Sequence, residues 1–127
     1  MFFGPDIFPD MERAVPVLPV DDLKRAKAFY VDQLGFGVSW EATEDGTKGL
    51  LGVERGGINI TLDCPMSGHG RDACVSLVVE NADAYYDEWK GRGVPMKHPP
   101  KDEPWGARTF GVTDPFGSTI FVIGPLL

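Results

Sequence analysis

Glu103-Pro104-Trp105-Gly106-Ala107-Arg108-Thr109-Phe110-Gly111-Val112-Thr113-Asp114-Pro115-Phe116-Gly117-Ser118 reads as two turns around one strand. Pro-Trp-Gly marks a tight turn, with an aromatic ring beside a residue that lets backbone approach closely. Arg108, Phe110 and Val112 alternate with Thr109, Gly111 and Thr113, a period of two that specifies a strand. Asp114-Pro115-Phe116-Gly117 carries the type I turn signature, with Asp at the first position, Pro at the second and Gly at the fourth. Ile120 to Ile123 then return as a second strand, so the stretch is a hairpin with an indole and a guanidinium near its mouth.

The rest of the chain is organised to match. Its 127 residues are most simply one domain, and a hydrophobic fraction of 43% supplies a sizeable core. A formal net charge of -7 argues against nucleic acid or an anionic membrane surface as partner, because both repel an acidic protein. No run is apolar enough over the length needed to cross a bilayer. No basic residue precedes Arg13, as a secretory signal would require. The expectation is a cytoplasmic protein whose two cysteines, Cys64 and Cys74, are reduced thiols.

Taken in order, residues 1–12 form an arm holding Phe2, Phe3, Ile7 and Phe8. Ala14 to Val20 reads as a strand, part of it at an edge because Pro16 and Pro19 cannot donate to a ladder. Asp21 and Asp22 are N-cap candidates for a helix carrying Leu23, Ala26, Phe29, Tyr30 and Leu34, which Gly35 ends. Strands follow at Phe36–Glu41, Leu50–Glu54 and Ile58–Asp63, joined through Asp45-Gly46 and Gly56-Gly57. Residues 64–71 read as a linker. The pattern then repeats: strand Cys74–Glu80, a helix capped by Asn81 with Ala82, Tyr85, Tyr86 and Trp89 on one face, a short strand Val94–His98, and the hairpin. Module one spans 14–63 and module two 72–124, each βαβββ, within one domain of residues 13–125.

Aligning the turns sets Gly57-Ile58-Asn59-Ile60-Thr61 against Gly117-Ser118-Thr119-Ile120-Phe121, and Val15 against Cys74. Alternation then gives Ile58, Ile60 and Leu62 to the helix-covered face, with Asn59, Thr61 and Asp63 opposite. In the fifth strand Val75, Leu77 and Val79 face the helix, while Cys74, Ser76 and Val78 face away. The half-polar opposite face suits the wall of a ligand groove. Cys74 itself reads as a small buried residue rather than a nucleophile, having no basic neighbour in sequence.

Ala14-Val15-Pro16-Val17-Leu18, Ala28-Phe29-Tyr30, Leu34-Gly35-Phe36, Pro104-Trp105-Gly106 and Asp114-Pro115-Phe116-Gly117, set in a paired βαβββ pattern, resemble the vicinal oxygen chelate superfamily. That group contains glyoxalase I, extradiol dioxygenases, fosfomycin-resistance transferases and bleomycin resistance proteins. Pro-Trp-Gly followed by Arg108 and Phe110 is most similar to the bleomycin resistance branch. The resemblance implies an α+β fold of two βαβββ modules whose curved mixed sheets form a cleft, usually completed in a homodimer. Metal enzymes of the group place His, Gln or Glu on the first, fourth, fifth and eighth strands. The corresponding positions here are Val15, Thr61, Cys74 and Phe121, which make no ligand set for a divalent ion. His69 and His98 have no partner at metal-ligand spacing. No metal and no cofactor are therefore expected.

Two readings follow. The preferred one is a non-catalytic protein that sequesters a small molecule, as bleomycin resistance proteins do. The alternative is an enzyme of the same fold, glyoxalase-like or a dioxygenase, with a displaced metal. The expected groove lining is Trp40, Thr61, Cys74, Ser76, Trp105, Arg108, Phe110 and Phe121, which favours a flat, partly apolar ligand held by stacking. Glu41 and the net charge bias it toward cations. Arg108 is expected to be neutralised by a nearby acid, with Glu103 the candidate. The unpaired edge at Pro16 and Pro19 and the Phe-rich arm predict a two-fold dimer.

Overall fold

A computed structural model describes residues 13–43, 45–64 and 72–127. The arm at 1–12, the loop residue Glu44 and linker residues 65–71, His69 among them, lie outside the described residues. The elements run β1 Val17–Pro19, α1 Leu23–Lys27 passing into a π-helical turn Ala28–Gln33, β2 Gly37–Thr43, β3 Gly49–Arg55, β4 Ile58–Cys64, β5 Cys74–Val78, α2 Ala82–Gly91, β6 Lys101–Glu103, β7 Ala107–Thr113 and β8 Thr119–Pro125. They form two four-stranded mixed sheets, ordered β1-β4-β3-β2 and β5-β8-β7-β6. In each, the first strand runs parallel to the last and the rest are antiparallel. The architecture is α+β, two repeats of one plan.

Local chemistry explains most boundaries. Asp22 caps α1, its carboxylate accepting from the amides of Lys24 and Arg25. The π turn ends at Leu34, with Gly35 at φ +79° and the Phe36 amide bonded back to the Tyr30 carbonyl, so the last carbonyls are satisfied. Asn81 caps α2 through the Ala84 amide. Two expected boundaries are corrected. β1 is three residues long rather than the whole of Ala14–Val20, although the Pro16 carbonyl still accepts from the Thr61 amide. The short strand expected at Val94–His98 lies instead at Lys101–Glu103, because Pro95, Pro99 and Pro100 offer no ladder donors while the three residues after them do. Trp105 consequently sits in the turn of the β6–β7 hairpin.

One core spans both modules. Leu18, Leu51, Val53, Ile60 and Leu62 from the first sheet pack with Leu23, Ala26 and Phe29, and Phe110, Val112, Ile120 and Val122 from the second pack with Trp89. The modules are also tied by polar contacts. Arg55, at the β3–β4 turn, donates to the Leu34 carbonyl at 2.7 Å and to both carboxylate oxygens of Glu88 on α2. Its guanidinium lies 4.3 Å from the Tyr85 ring centroid, and the Trp89 indole N–H donates to the same Leu34 carbonyl at 3.0 Å. The face of each sheet turned away from the helices is left open.

Candidate functional site

The open face of the first sheet is built from register. Thr61 on β4 stands beside Val17 on β1 and opposite Gly52 on β3, and Gly52 in turn stands opposite Trp40 on β2. The β2–β3 register slips between Val38 and Trp40, and this bulge delivers the indole to the open face. Gly52 is the reason the ring can lie there: a methyl group on its Cα would collide with the indole nitrogen and the adjoining ring carbons. Beside the ring, Arg13, Val15, Ser39, Asn59 and Thr61 line a cavity of about 120 Å³.

The second sheet repeats the plan. Phe121 on β8 stands beside Ser76 on β5 and opposite Gly111 on β7, so Gly52 and Gly111 occupy equivalent positions. Cys74 and Ser76 are exposed on this face. Lys97, His98, Gly111, Thr113, Thr119 and Phe121 line a second cavity of about 210 Å³. No residue lines both cavities.

Of the eight residues expected to line one groove, Trp40 and Thr61 lie on the open face of the first sheet, and Cys74, Ser76 and Phe121 on that of the second. The other three do not. Phe110 is fully buried on the helix side, its ring 5.7 Å from Trp89 and 5.6 Å from Tyr86. Arg108 shares that face, where Nε and Nη2 donate to Asp83 on α2 at 2.6 and 3.0 Å and Nη1 donates to Asp102 at 3.0 Å. The register decides this: Arg108 and Phe110 stand opposite Gly124 and Val122, on the side α2 covers. The hydrogen bonds that Arg108 makes to Asp83 and Asp102 hold the guanidinium pKa above its ordinary value, and Arg108 holds the Asp83 carboxyl below the usual range. Arg108 is thus neutralised, but not by Glu103, which accepts instead from the Thr109 hydroxyl at 2.8 Å. Trp105 is 62% exposed at its hairpin turn, away from both cavities.

Two further expectations change. Glu41 lies off the open face, paired with Lys27 of α1 at 2.9 Å. Cys74 is exposed, and Cys64 is the buried thiol. Trp40 and Glu41 are consecutive beyond the bulge, so alternation by itself sets them on opposite faces, and Glu41 leaves the face that Trp40 takes. Gly52 and Gly111 were missed as site residues, although extending the alignment of Thr61 with Phe121 back by one strand would have paired them.

The donor set does not fit a metal at the superfamily position. Val15 and Phe121 are hydrocarbon, Thr61 is a neutral hydroxyl and Cys74 a single thiol. Among the described residues, no group of three or more His, Cys, Asp or Glu side chains is placed to hold an ion. Among them, too, no helix is long and apolar enough to cross a membrane.

Known proteins agree with this architecture. A bleomycin resistance protein of Geobacillus stearothermophilus is 28% identical over 131 residues, covering 87% of this chain and 94% of the relative. An antibiotic binding protein from Streptomyces sp. CB03234 superposes with a TM-score of 0.73 at 26% identity, covering 94% of this chain and all of the other. A bleomycin resistance determinant encoded on the transposon Tn5 shares the fold at a TM-score of 0.78 and 23% identity, covering 92% of this chain and 100% of that one. Residues 13–122 match the family model, and the chain belongs to the Glyoxalase/Bleomycin resistance protein/Dioxygenase superfamily.

Proposed function

We propose that this chain is a non-catalytic binding protein that sequesters a planar, cationic small molecule on the open faces of its sheets, in a resistance-type role. The observation that carries the reading is Trp40 packed against Gly52 beside Thr61, an aromatic ring next to a cavity with a few polar groups. Such a surface holds a flat ligand by stacking and orients it by hydrogen bonds, without any group arranged to move a proton or break a bond. A bleomycin resistance protein and an antibiotic binding protein among the relatives support the same class. The cation preference rests on the net charge of -7 and on Glu54, which lies on the open face of the first sheet. Glu41 no longer contributes, being engaged with Lys27, and Arg108 no longer opposes, being engaged with Asp83 and Asp102.

The working form is a two-fold homodimer. Among the described residues, β1 and β5 have a ladder partner on one side only, and Val17 and Val78 are exposed beside those edges. With its two cavities unconnected, each open face needs a second wall, which a partner subunit supplies. Trp105, exposed at a hairpin tip, is a ring available to close over a bound ligand.

The test is titration of planar cations and planar carboxylates, followed by tryptophan fluorescence. Planar cations should bind more tightly. Trp40→Ala and Trp105→Ala should each weaken binding several-fold, since a lost stacking partner costs about 0.5–1.5 kcal/mol beyond burial. Binding of anions alone, or unchanged affinity in both variants, overturns the reading.

A further inference from the structure

The two modules differ at one equivalent place. In module one the slot above Gly52 is filled by the protein's own indole. In module two no ring presses on Gly111, and the ring beside it, Phe121, stays 3.8 Å from a Cβ built there. The pairing of β6 with β7 ends at Lys101 opposite Thr109, whereas β2 pairs with β3 from Gly37 to Thr43, interrupted at Ser39. Continued by two residues, β6 would place Pro99 opposite Gly111, where a proline can neither join the ladder nor carry an aromatic side chain. The consequence is measurable: the cavity beside Gly111 is about 210 Å³, against about 120 Å³ beside Trp40.

We infer that the slot over Gly111 is a ligand subsite, which takes a flat fused aromatic ring in the position that Trp40 occupies over Gly52. Gly111 is the floor, since a Cβ built there meets only the Ile120 carbonyl oxygen at 3.7 Å and Phe121 at 3.8 Å and otherwise points into open space. Phe121 is a wall that offers an aromatic contact. The rim sets the substituent. His98 Nδ1 lies 2.8 Å from the Pro99 carbonyl, a hydrogen bond that requires the proton on Nδ1 and leaves Nε2 of the neutral ring as an acceptor. Lys97 beside it donates. A hydroxyl on the ring satisfies both, donating to His98 and accepting from Lys97. The subsite therefore selects a hydroxylated fused aromatic, a feature compatible with positive charge elsewhere on the same molecule.

This inference rests on the binding reading and deepens it. The probe is 2-naphthol, with naphthalene as its hydroxyl-free counterpart, added to isotope-labelled protein and followed by amide chemical shifts. 2-Naphthol should move the amides of Gly111, Thr119 and Phe121 and bind at least several-fold more tightly than naphthalene. Gly111→Ala, whose methyl group fits the empty slot without a clash, should leave thermal stability unchanged and reduce 2-naphthol affinity by tenfold or more. Gly57→Ala, at a turn with open space around it, is the control. His98→Ala should abolish the preference for 2-naphthol over naphthalene. If 2-naphthol moves Gly52 and Thr61 but not Gly111 and Phe121, or if Gly111→Ala binds it as the parent does, the subsite is refuted and the binding reading stands. If neither set of amides moves at saturating probe, the subsite is refuted, and the binding reading is decided by the titration of planar cations.

Discussion

The Tyr30 hydroxyl donates to Asp114 Oδ2 at 2.7 Å, inside the core and across 84 residues of chain. Tyr30 belongs to the first helix and Asp114 to the turn between β7 and β8, so the bond joins the two modules. The other oxygen of the same carboxylate accepts from the amides of Phe116 and Ser118 at 2.9 and 2.8 Å and so holds the turn. Phe29-Tyr30 and Asp114-Pro115-Phe116-Gly117, two of the stretches on which the superfamily resemblance rests, are the two ends of one contact.

Tyr30→Phe should therefore destabilise the protein by about 1–3 kcal/mol, the cost of leaving a buried charged acceptor short of a partner. Burial first, and then the charge of Asp114, push the Tyr30 phenol well above its ordinary value. A group raised in the folded state stabilises below its unfolded value, and that stability is lost as pH rises. The contribution is thus intact below about pH 10 and declines above it. Denaturant titrations across that range should show the decline in the parent and not in Tyr30→Phe. Equal slopes in the two would refute the role.

The junction formed by Arg55 and Glu88 should fail in acid. Hydrogen bonds from Arg55, and then the charges of Arg55 and Arg92, hold the Glu88 carboxyl below its usual range. A depressed carboxyl stabilises above its unfolded value, about 4.3, and loses that contribution as pH falls through the folded value. Glu88→Gln should cost about 1–2 kcal/mol at neutral pH and converge with the parent at low pH. A constant difference across the range would show that the carboxylate charge is not what matters.

Gly52→Ala should destabilise by about 1–3 kcal/mol, because the added methyl group meets the Trp40 ring and the sheet must deform or the ring must leave. Near-ultraviolet circular dichroism reports the ring directly. An unchanged aromatic spectrum in Gly52→Ala would show that the indole does not rest on this glycine.

Elemental analysis of protein purified without a polyhistidine tag should find no stoichiometric Zn, Fe, Mn or Ni. One equivalent of any of these, lost on Cys74→Ala, would contradict the reading of Val15, Thr61, Cys74 and Phe121 as a set without adequate donors.

Sedimentation equilibrium at micromolar concentration should give twice the mass of the chain, 13.9 kDa. A monomer whose mass is insensitive to deletion of residues 1–12 would remove both the dimer and the arm's part in it.

What the sequence determined by itself was whatever depends on neighbours along the chain. Asp22 and Asn81 cap helices because a carboxylate or amide reaches an amide two or three residues on. Asp114-Pro115-Phe116-Gly117 turns for the same local reason, and the alternation in β4 and β5 sorted Ile60 and Leu62 from Thr61, and Val75 and Leu77 from Ser76, correctly. Only the tertiary structure decided which face each set would take when both sets held plausible groove residues. Period-two alternation separates Arg108 and Phe110 from Thr109 and Gly111, yet says nothing about which pair a helix will cover. That was settled by α2, whose Asp83 meets Arg108 25 residues away and whose Trp89 meets Phe110. Which face Trp40 takes depended on a bulge that shifts register by one residue, and Glu41, next in the strand, takes the other. The placement of Gly52 against Trp40, and of Gly111 with only Phe121 and the Ile120 carbonyl nearby, depended on strand pairing, a long-range choice made by the sheet as a whole.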